Sequence, residues 1–446
     1  MGRALTLVLL YGLAVVWGGY NLGRAAFGPK LGEDFRSYYI GSRALLEGRP
    51  EILHGTIEEY RERAAAYRIP PIVEDGEPID VIVSPYPPPA ALLMAPFATL
   101  SYRPSLLAFS LVSVASSILA IVLLFADRSD PARRRHAIAT GLALSAIFFP
   151  TAYSLYMGQI NGVLLLLCVL ALHQSRRGRD TWAGLALAPA IAFKIFPALL
   201  LLFFALKRRW TTVLAAVAGV AALVALTLPW YPPETYARYV TQVLPDSYVG
   251  GTWVRNQGLH GVLLRLFTEN PHVTPLVDAP ALVGPLAALG GLLTLGALIA
   301  VARRPTDRVS RRYAIEFSLY LVAALLLLSK SWEHYGIFLL PAFLLLGENA
   351  VERLGGNGDT TKEARGARGA AAPLFLLAAA FSVWAFVLTA GAEYRALPRA
   401  RIAQPLFAAK FLATVTLFAV GIAALRYRTT ARRQLVRNSP DSSLQT

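Results

Sequence analysis

The stretch Trp182–Leu206, WAGLALAPAIAFKIFPALLLLFFAL, decides the fold. Its only charge is Lys194, set between Pro189 and Pro197, and basic residues stand on both sides: Arg176, Arg177 and Arg179 before it, Lys207, Arg208 and Arg209 after it. A single membrane-crossing helix would carry one basic flank to the far side, against the tendency of Lys and Arg to remain cytoplasmic. Proline removes a helix hydrogen bond, and an ionisable group in hydrocarbon is costly unless it is used. The stretch therefore predicts two short helices that meet at a break inside the membrane and return to the side they left.

The rest of the chain agrees with a membrane setting. Of 446 residues, 55% are hydrophobic and 16% charged, and uncharged runs of about 18 to 22 residues recur, long enough to cross the bilayer as helices. Ala4–Gly23 is the first, too long for a signal-peptide core and so read as a retained span. Further spans are expected near Pro104–Ala126, Ala137–Tyr153, Ile160–His173, Val213–Trp230, Ala281–Ala302, Tyr313–Leu328, Gly336–Leu346, Leu374–Leu388 and Leu406–Leu425. With the hairpin counted as two, this is an all-α polytopic membrane protein of about twelve transmembrane helices. Pro87–Leu100 reads as a re-entrant or interfacial helix, because another full crossing would put Arg133, Arg134 and Arg135 outside.

The net charge of +16 does not signal nucleic acid. The excess lies in short connections and the tail, at Arg133–Arg135, Arg176–Arg179, Lys207–Arg209, Arg303–Arg312 and Arg426–Arg433, as expected for cytoplasmic loops. Two long outer loops follow, residues 23–88 and 231–280, expected to fold as amphipathic helices lying on the membrane. Residues 355–372, rich in Gly, Arg and Thr, read as a flexible cytoplasmic linker. The organisation is a single transmembrane domain over residues 1–425 with a basic cytoplasmic tail, 426–446. A lone Cys168 rules out an internal disulfide, and no internal repeat of the transporter kind is found.

Candidate chemistry gathers in the outer loops. Asp34, about a dozen residues beyond the first span, is a carboxylate at the water interface, suited either to general-base work or to capping the helix that follows it. Glu33 beside it reads as a solvated loop acid. Lys194 is a cation for a phosphate or lipid headgroup, or for carbonyls freed by the break. Lys330, Trp332 and His334 make a phosphate and sugar pocket or an aromatic interface belt; Arg255 is a phosphate contact or an interface arginine. The amides of Gln159, Asn161, Asn256 and Gln257 suit acceptor or sugar hydroxyls, although Gln159 and Asn161 serve equally as helix caps. Tyr38 and Tyr39 read as packing residues. The six histidines are scattered without a paired spacing or a carboxylate doublet, so no metal and no cofactor is expected.

Six short stretches, in order, carry a resemblance: Asp34-Phe35-Arg36-Ser37-Tyr38-Tyr39 followed by Leu45-Leu46-Glu47-Gly48; Tyr86-Pro87-Pro88; Gly158-Gln159-Ile160-Asn161-Gly162; Lys194-Ile195-Phe196-Pro197; Asn256-Gln257-Gly258-Leu259; and Ser331-Trp332-Glu333-His334-Tyr335. Their order resembles that of glycosyltransferase family 87, from the first span to about Pro341. Tyr335 stands where the pattern often has a second His. The resemblance implies the GT-C membrane fold and a hexosyl transfer, of mannose in particular, from a polyprenyl-phosphate sugar to a lipid or glycan acceptor outside the bacterial cytoplasmic membrane. Such a transfer needs one base opposite cations that hold the leaving phosphate, which fits an inverting, metal-independent displacement with Asp34 as the catalytic residue. Two other classes remain open on the residues alone: a lipid or glycan transporter or flippase, which would need broken helices in both halves, and a non-catalytic membrane assembly protein.

Overall fold

A computed structural model describes residues 32–74, 77–79, 82–245, 251–354, 360–386 and 404–437, with a few positions before residue 32. The expected first span, Ala4–Gly23, lies outside the continuously described residues. Helices dominate the rest. Five are long and apolar enough to cross a membrane: Tyr102–Phe125, Trp210–Thr227, Pro280–Ala302, Glu333–Glu352 and Ala409–Arg426. Pro131–Ile147 and Phe149–Tyr156 form a sixth if the pair, bent by 60° at Phe148, is one span. The chain is thus a multi-pass membrane protein. Shorter apolar helices, among them Asn161–Arg176 and Asp180–Phe193, occupy other expected crossings.

The decisive stretch folds as expected. A helix over Asp180–Phe193 ends at Lys194, whose backbone is extended (φ −135°, ψ 131°), and a short 3-10 turn over Phe196–Ala198 leads into Leu199–Leu206. Both ends of the stretch meet the same connection. Arg308 lies 3.6 Å from Asp180, and Lys207 Nζ donates to the Arg304 carbonyl and to Thr306 Oγ1, each at 2.9 Å. The chain has therefore turned back.

One helix occupies the centre of the bundle. Arg311–Leu327 is capped by Ser310 Oγ, which accepts from the Tyr313 N–H, and is enclosed from Tyr313 to Leu326. Its Glu316 is buried against Lys207 at 2.5 Å and Arg312 at 2.7 Å. Other basic connections are pinned at this same end of the helices. Asp127 meets His173, Arg176 and Arg177, and Glu348 takes Arg128 and Arg311.

The opposite end holds the loops. The Ile57–Ala66 helix starts at a reciprocal cap between Thr56 and Glu59, and a two-stranded hairpin, unforeseen in the sequence, pairs Ile72–Glu74 with Glu77–Ile79. Phe35–Leu46 corrects the expectation of a helix lying on the membrane, because all but two of its residues are buried. It is packed against Pro88–Ala98, with Phe35 against Phe109 and Tyr39 against Tyr102 at ring separations of 4.9 and 5.3 Å. Pro88–Ala98 itself is a short helix, as expected of residues 87–100. The supposed linker is also corrected: the chain is helical from Thr360 to Phe386. Alanines at 364, 367 and 370–372 favour helix, whereas each glycine costs only about 1 kcal/mol. Residues 355–359 lie outside the described set.

Candidate active site

Two turns are tied together before any side chain is considered. The Gly32 N–H donates to the Tyr156 carbonyl and the Asp34 N–H to the Met157 carbonyl, both at 2.9 Å. Gly158, at φ +67°, closes the second turn; a Cβ there would lie 2.6 Å from Phe35 Cβ, so only glycine lets the turns approach. This contact sits at the end of the Pro131–Tyr156 and Asn161–Arg176 helices away from Arg133–Arg135 and Arg176.

Asp34 occupies the N-cap position of Phe35–Leu46, but its side chain makes no capping bond. Its carboxylate instead accepts from Gln159 Nε2, at 2.7 Å on Oδ2. Gln159 Oε1 in turn accepts from Lys194 Nζ at 2.6 Å and from the Tyr38 hydroxyl at 2.9 Å. Lys194 Nζ also donates to Asn161 Oδ1 at 3.0 Å, and lies 4.4 Å from the centre of the Tyr335 ring and 5.6 Å from that of Tyr86. Tyr335, where a second His was noted as common, therefore meets the lysine with an aromatic face. Gln159, Asn161 and Lys194 are all buried.

Loss of hydration raises the proton affinity of the Asp34 carboxyl above the ordinary aspartate value, outweighing the lowering by the Gln159 hydrogen bond and the Lys194 charge. Burial likewise pushes the Tyr38 phenol well up, with the neighbouring Tyr86 and Asp34 adding to it. Tyr38 consequently stays protonated and donates to Gln159.

A second group of residues adjoins the first. Asn161 Nδ2 donates to the His334 carbonyl at 3.1 Å, so the base side and the His334 segment share one amide. The His334 ring lies edge-on to Tyr335 at 4.6 Å and 6.1 Å from Tyr153. Arg255 Nη1 donates to the Tyr153 hydroxyl, with the guanidinium carbon 5.2 Å from that ring. His334 is buried, and its Nε2 has no hydrogen-bond partner among the described residues. A buried polar atom without a partner is costly, and here it is an imidazole nitrogen beside a guanidinium.

Asn256 and Gln257 fasten the loops that carry these cations. Asn256 bridges to Trp332; its Nδ2 donates to the Gly251 and Ser329 carbonyls at 3.1 and 2.8 Å, and its Oδ1 accepts from the Gly258 and Ser331 N–H groups at 3.1 and 2.9 Å. The Gln257 amide engages the Val254 and Phe407 carbonyls and the Phe411 N–H. These amides are engaged with backbone, in place of the hydroxyls expected for them. Lys330 and Trp332 are half-buried on the strip so fastened.

Three participants escaped the sequence reading. From sequence, Tyr153 reads only as a span end and Tyr38 as packing. Lys410, within the expected last span, pairs with buried Glu333 at 2.6 Å; a lone lysine in an apolar run was the available signal.

Comparison with known proteins gives a consistent picture. The profile of glycosyltransferase family 87 matches residues 85–329. A polyprenol-phosphate-mannose-dependent alpha-(1-2)-phosphatidylinositol mannoside mannosyltransferase of Mycolicibacterium smegmatis is 30% identical over 373 residues, 79% of this chain and 76% of that protein. Its counterpart from Mycobacterium tuberculosis is 29% identical over 372 residues, 78% and 77% of the two chains. An alpha-(1->3)-arabinofuranosyltransferase of Mycobacterium tuberculosis is 34% identical over 164 residues, 36% of this chain and 38% of that one. No solved structure matches.

Proposed function

Since the chain belongs to glycosyltransferase family 87, and is thereby a membrane glycosyltransferase, we propose that it moves a hexose, mannose first among the candidates, from a polyprenyl-phosphate donor to a lipid or glycan acceptor. In this reading it has the GT-C fold with about twelve crossings and works at the outer face of a bacterial cytoplasmic membrane, because the Arg-rich connections stay inside and Asp34 lies at the other end. The mannoside mannosyltransferase relatives make a phosphatidylinositol mannoside a reasonable first acceptor to test.

The observation that carries the reading is the carboxylate of Asp34, held through Oδ2 by Gln159 and linked through Lys194 and Asn161 to the His334 carbonyl, with the His334 ring, whose Nε2 has no hydrogen-bond partner among the described residues, and the Arg255 guanidinium both beside Tyr153. This grouping supports a base and a set of donors acting at one site. Asp34 takes the proton of the acceptor hydroxyl as that oxygen bonds to the anomeric carbon and the carbon–oxygen bond to the phosphate breaks. The leaving polyprenyl phosphate keeps its charge and needs no proton. Arg255, Lys330 and His334 stabilise it, and the Trp332 indole offers a face to the sugar. Attack opposite the leaving phosphate inverts the anomeric centre, so a β-linked donor gives an α-linked product.

The test is transfer by the purified chain in proteoliposomes. Radiolabelled polyprenyl-phosphate mannose and its arabinofuranosyl counterpart are offered with phosphatidylinositol mannoside and glycan acceptors. Label is expected to move from the mannosyl donor to an acceptor without added metal and in the presence of a chelator. Transfer that depends on a nucleotide sugar, or none from any polyprenyl phosphate sugar, overturns the proposal.

A further inference from the structure

We propose that Lys194 is a positioning residue that acts through two amides, Gln159 toward the base Asp34 and Asn161 toward the His334 segment, so that one buried ammonium registers the two chemical halves of the site. The inference rests on the reading of Asp34 as the base and assigns Lys194 a task other than holding the donor phosphate.

An amide can be turned end for end, and its neighbours decide which end goes where. Around Gln159 they leave one solution. A charged Lys194 has no lone pair to offer, so the atom that it meets at 2.6 Å is the carbonyl Oε1, which can also accept from the Tyr38 hydroxyl at 2.9 Å. The NH2 group is thereby turned to Asp34 Oδ2. The reverse orientation would set N–H against ammonium and carbonyl against carboxylate. Asn161 follows the same logic: its Oδ1 accepts from Lys194, which turns Nδ2 to the His334 carbonyl.

The ammonium's neighbours are accounted for inside the protein. Two amide oxygens and the faces of Tyr335 and Tyr86 surround it, and the residue is 6% exposed. Its position follows from the helix break, since the extended backbone at 194 directs the side chain out of the Asp180–Phe193 helix into the turn at 158–161. The consequence for the base is selective. Among the described residues, the hydrogen bond to the carboxylate falls on Oδ2 and leaves Oδ1 to receive the acceptor proton. Lys194, Tyr38, Tyr86, Tyr153 and Tyr335 are the titratable groups interacting with Asp34 from the surrounding elements.

Steady-state kinetics of Lys194→Met, Gln159→Leu, their double variant and Gln159→Glu, measured in proteoliposomes with polyprenyl-phosphate mannose as donor, test this. Each single variant is expected to lower kcat about 10- to 100-fold with donor KM changed less than about threefold. The double variant should be no worse than the poorer single within about threefold, because Lys194 works through Gln159. Gln159→Leu and Gln159→Glu should also move the acid limb of the kcat profile to higher pH, the second more, since an oxygen then faces the carboxylate. A merely structural loss lowers the active fraction and leaves that limb in place. Gln159→Glu keeps the acceptor for Lys194 and Tyr38, so it is informative even if Lys194→Met does not fold. A rise of about tenfold or more in donor KM for Lys194→Met with kcat retained, multiplicative losses in the double variant, or an unmoved limb in Gln159→Glu overturns the proposal. Were Asp34→Asn active, the base reading itself would fail; inactive Asp34→Asn beside fully active Lys194→Met and Gln159→Leu would sink the positioning role alone.

Discussion

Lys410 Nζ lies 2.6 Å from Oε1 of Glu333, and each side chain is 1% exposed. The pair joins the helix beginning at Ala409 to the residue just before His334, with the Lys410 ammonium 4.6 Å from the centre of the Phe149 ring. A contact so deep fixes the strip that carries Trp332 and His334 from below. Lys410→Met should remove this partner from buried Glu333 and cost about 3 to 5 kcal/mol. Lys410→Met with Glu333→Gln should recover part of that loss. Thermal unfolding in detergent reads both, and an unchanged midpoint in Lys410→Met would show that the pair contributes nothing.

Asp34→Asn keeps an oxygen that can accept from Gln159 and removes the basic site. Turnover is expected to fall roughly 100-fold or more with normal membrane insertion. A replacement that transfers sugar at near-normal rates excludes Asp34 as the base.

The pH dependence follows from the raised proton affinity of Asp34. With Asp34 as the proposed base, turnover requires its charged form, so the acid limb of kcat should lie above the range of a free aspartate, about 3.9. For stability the sign is opposite. A carboxyl whose folded pKa exceeds its unfolded pKa contributes stability at low pH that is lost as pH rises through the folded value. Wild type should therefore lose stability relative to Asp34→Asn as pH is raised through that limb, measured as the difference in Tm. A difference that grows in the other direction contradicts the raised value.

Arg255→Ala and Lys330→Ala test the donor side. Each removes a charge-assisted contact of about 1.5 to 3 kcal/mol, so donor KM should rise about tenfold or more while acceptor KM changes little. Equal effects on both substrates would return these residues to the membrane interface.

Sidedness can be read with single cysteines, because native Cys168 is buried. Glu58 and Ser129 are exposed and lie at opposite ends of the bundle. Glu58→Cys should react with an impermeant thiol reagent applied to intact cells and Ser129→Cys only after permeabilisation. The reverse pattern would invert the orientation.

The sequence made the break at Lys194 visible because two prolines and a charge in an apolar run admit few structures. It also placed Gln159 and Asn161 in one turn. What that turn faces was not legible: the partner of Gln159 lies 125 residues away, and only the packing of Phe35–Leu46 against its neighbours brings Asp34 to it. The same limit hid Lys410 and Glu316, charges within apolar runs whose partners, Glu333 for one and Lys207 for the other, are distant in sequence. Asn256 and Gln257 illustrate the converse, since amides suited to sugar hydroxyls are equally suited to backbone groups. Phe35–Leu46 reads as interfacial from its mixture of polar and apolar residues, yet Arg36, Ser37 and Ser42 are buried in the fold.

The backbone bonds from Gly32 and Asp34 to Tyr156 and Met157 give the first loop two parts with different tolerance to change. Asp34 is anchored through its own N–H and that of Gly32 to a turn between two helices, and nothing beyond Leu46 in the first loop is part of that backbone anchor. Residues 47–85 reach the Phe35–Leu46 helix through side chains, as in the Arg36 bond to the Pro70 carbonyl and the packing of Tyr67 on Tyr39, so exchanges that keep those contacts should leave Asp34 in register. On the proposed function, a graft of this segment between relatives separates the two tasks: a changed acceptor with unchanged donor use would give the loop the choice of acceptor.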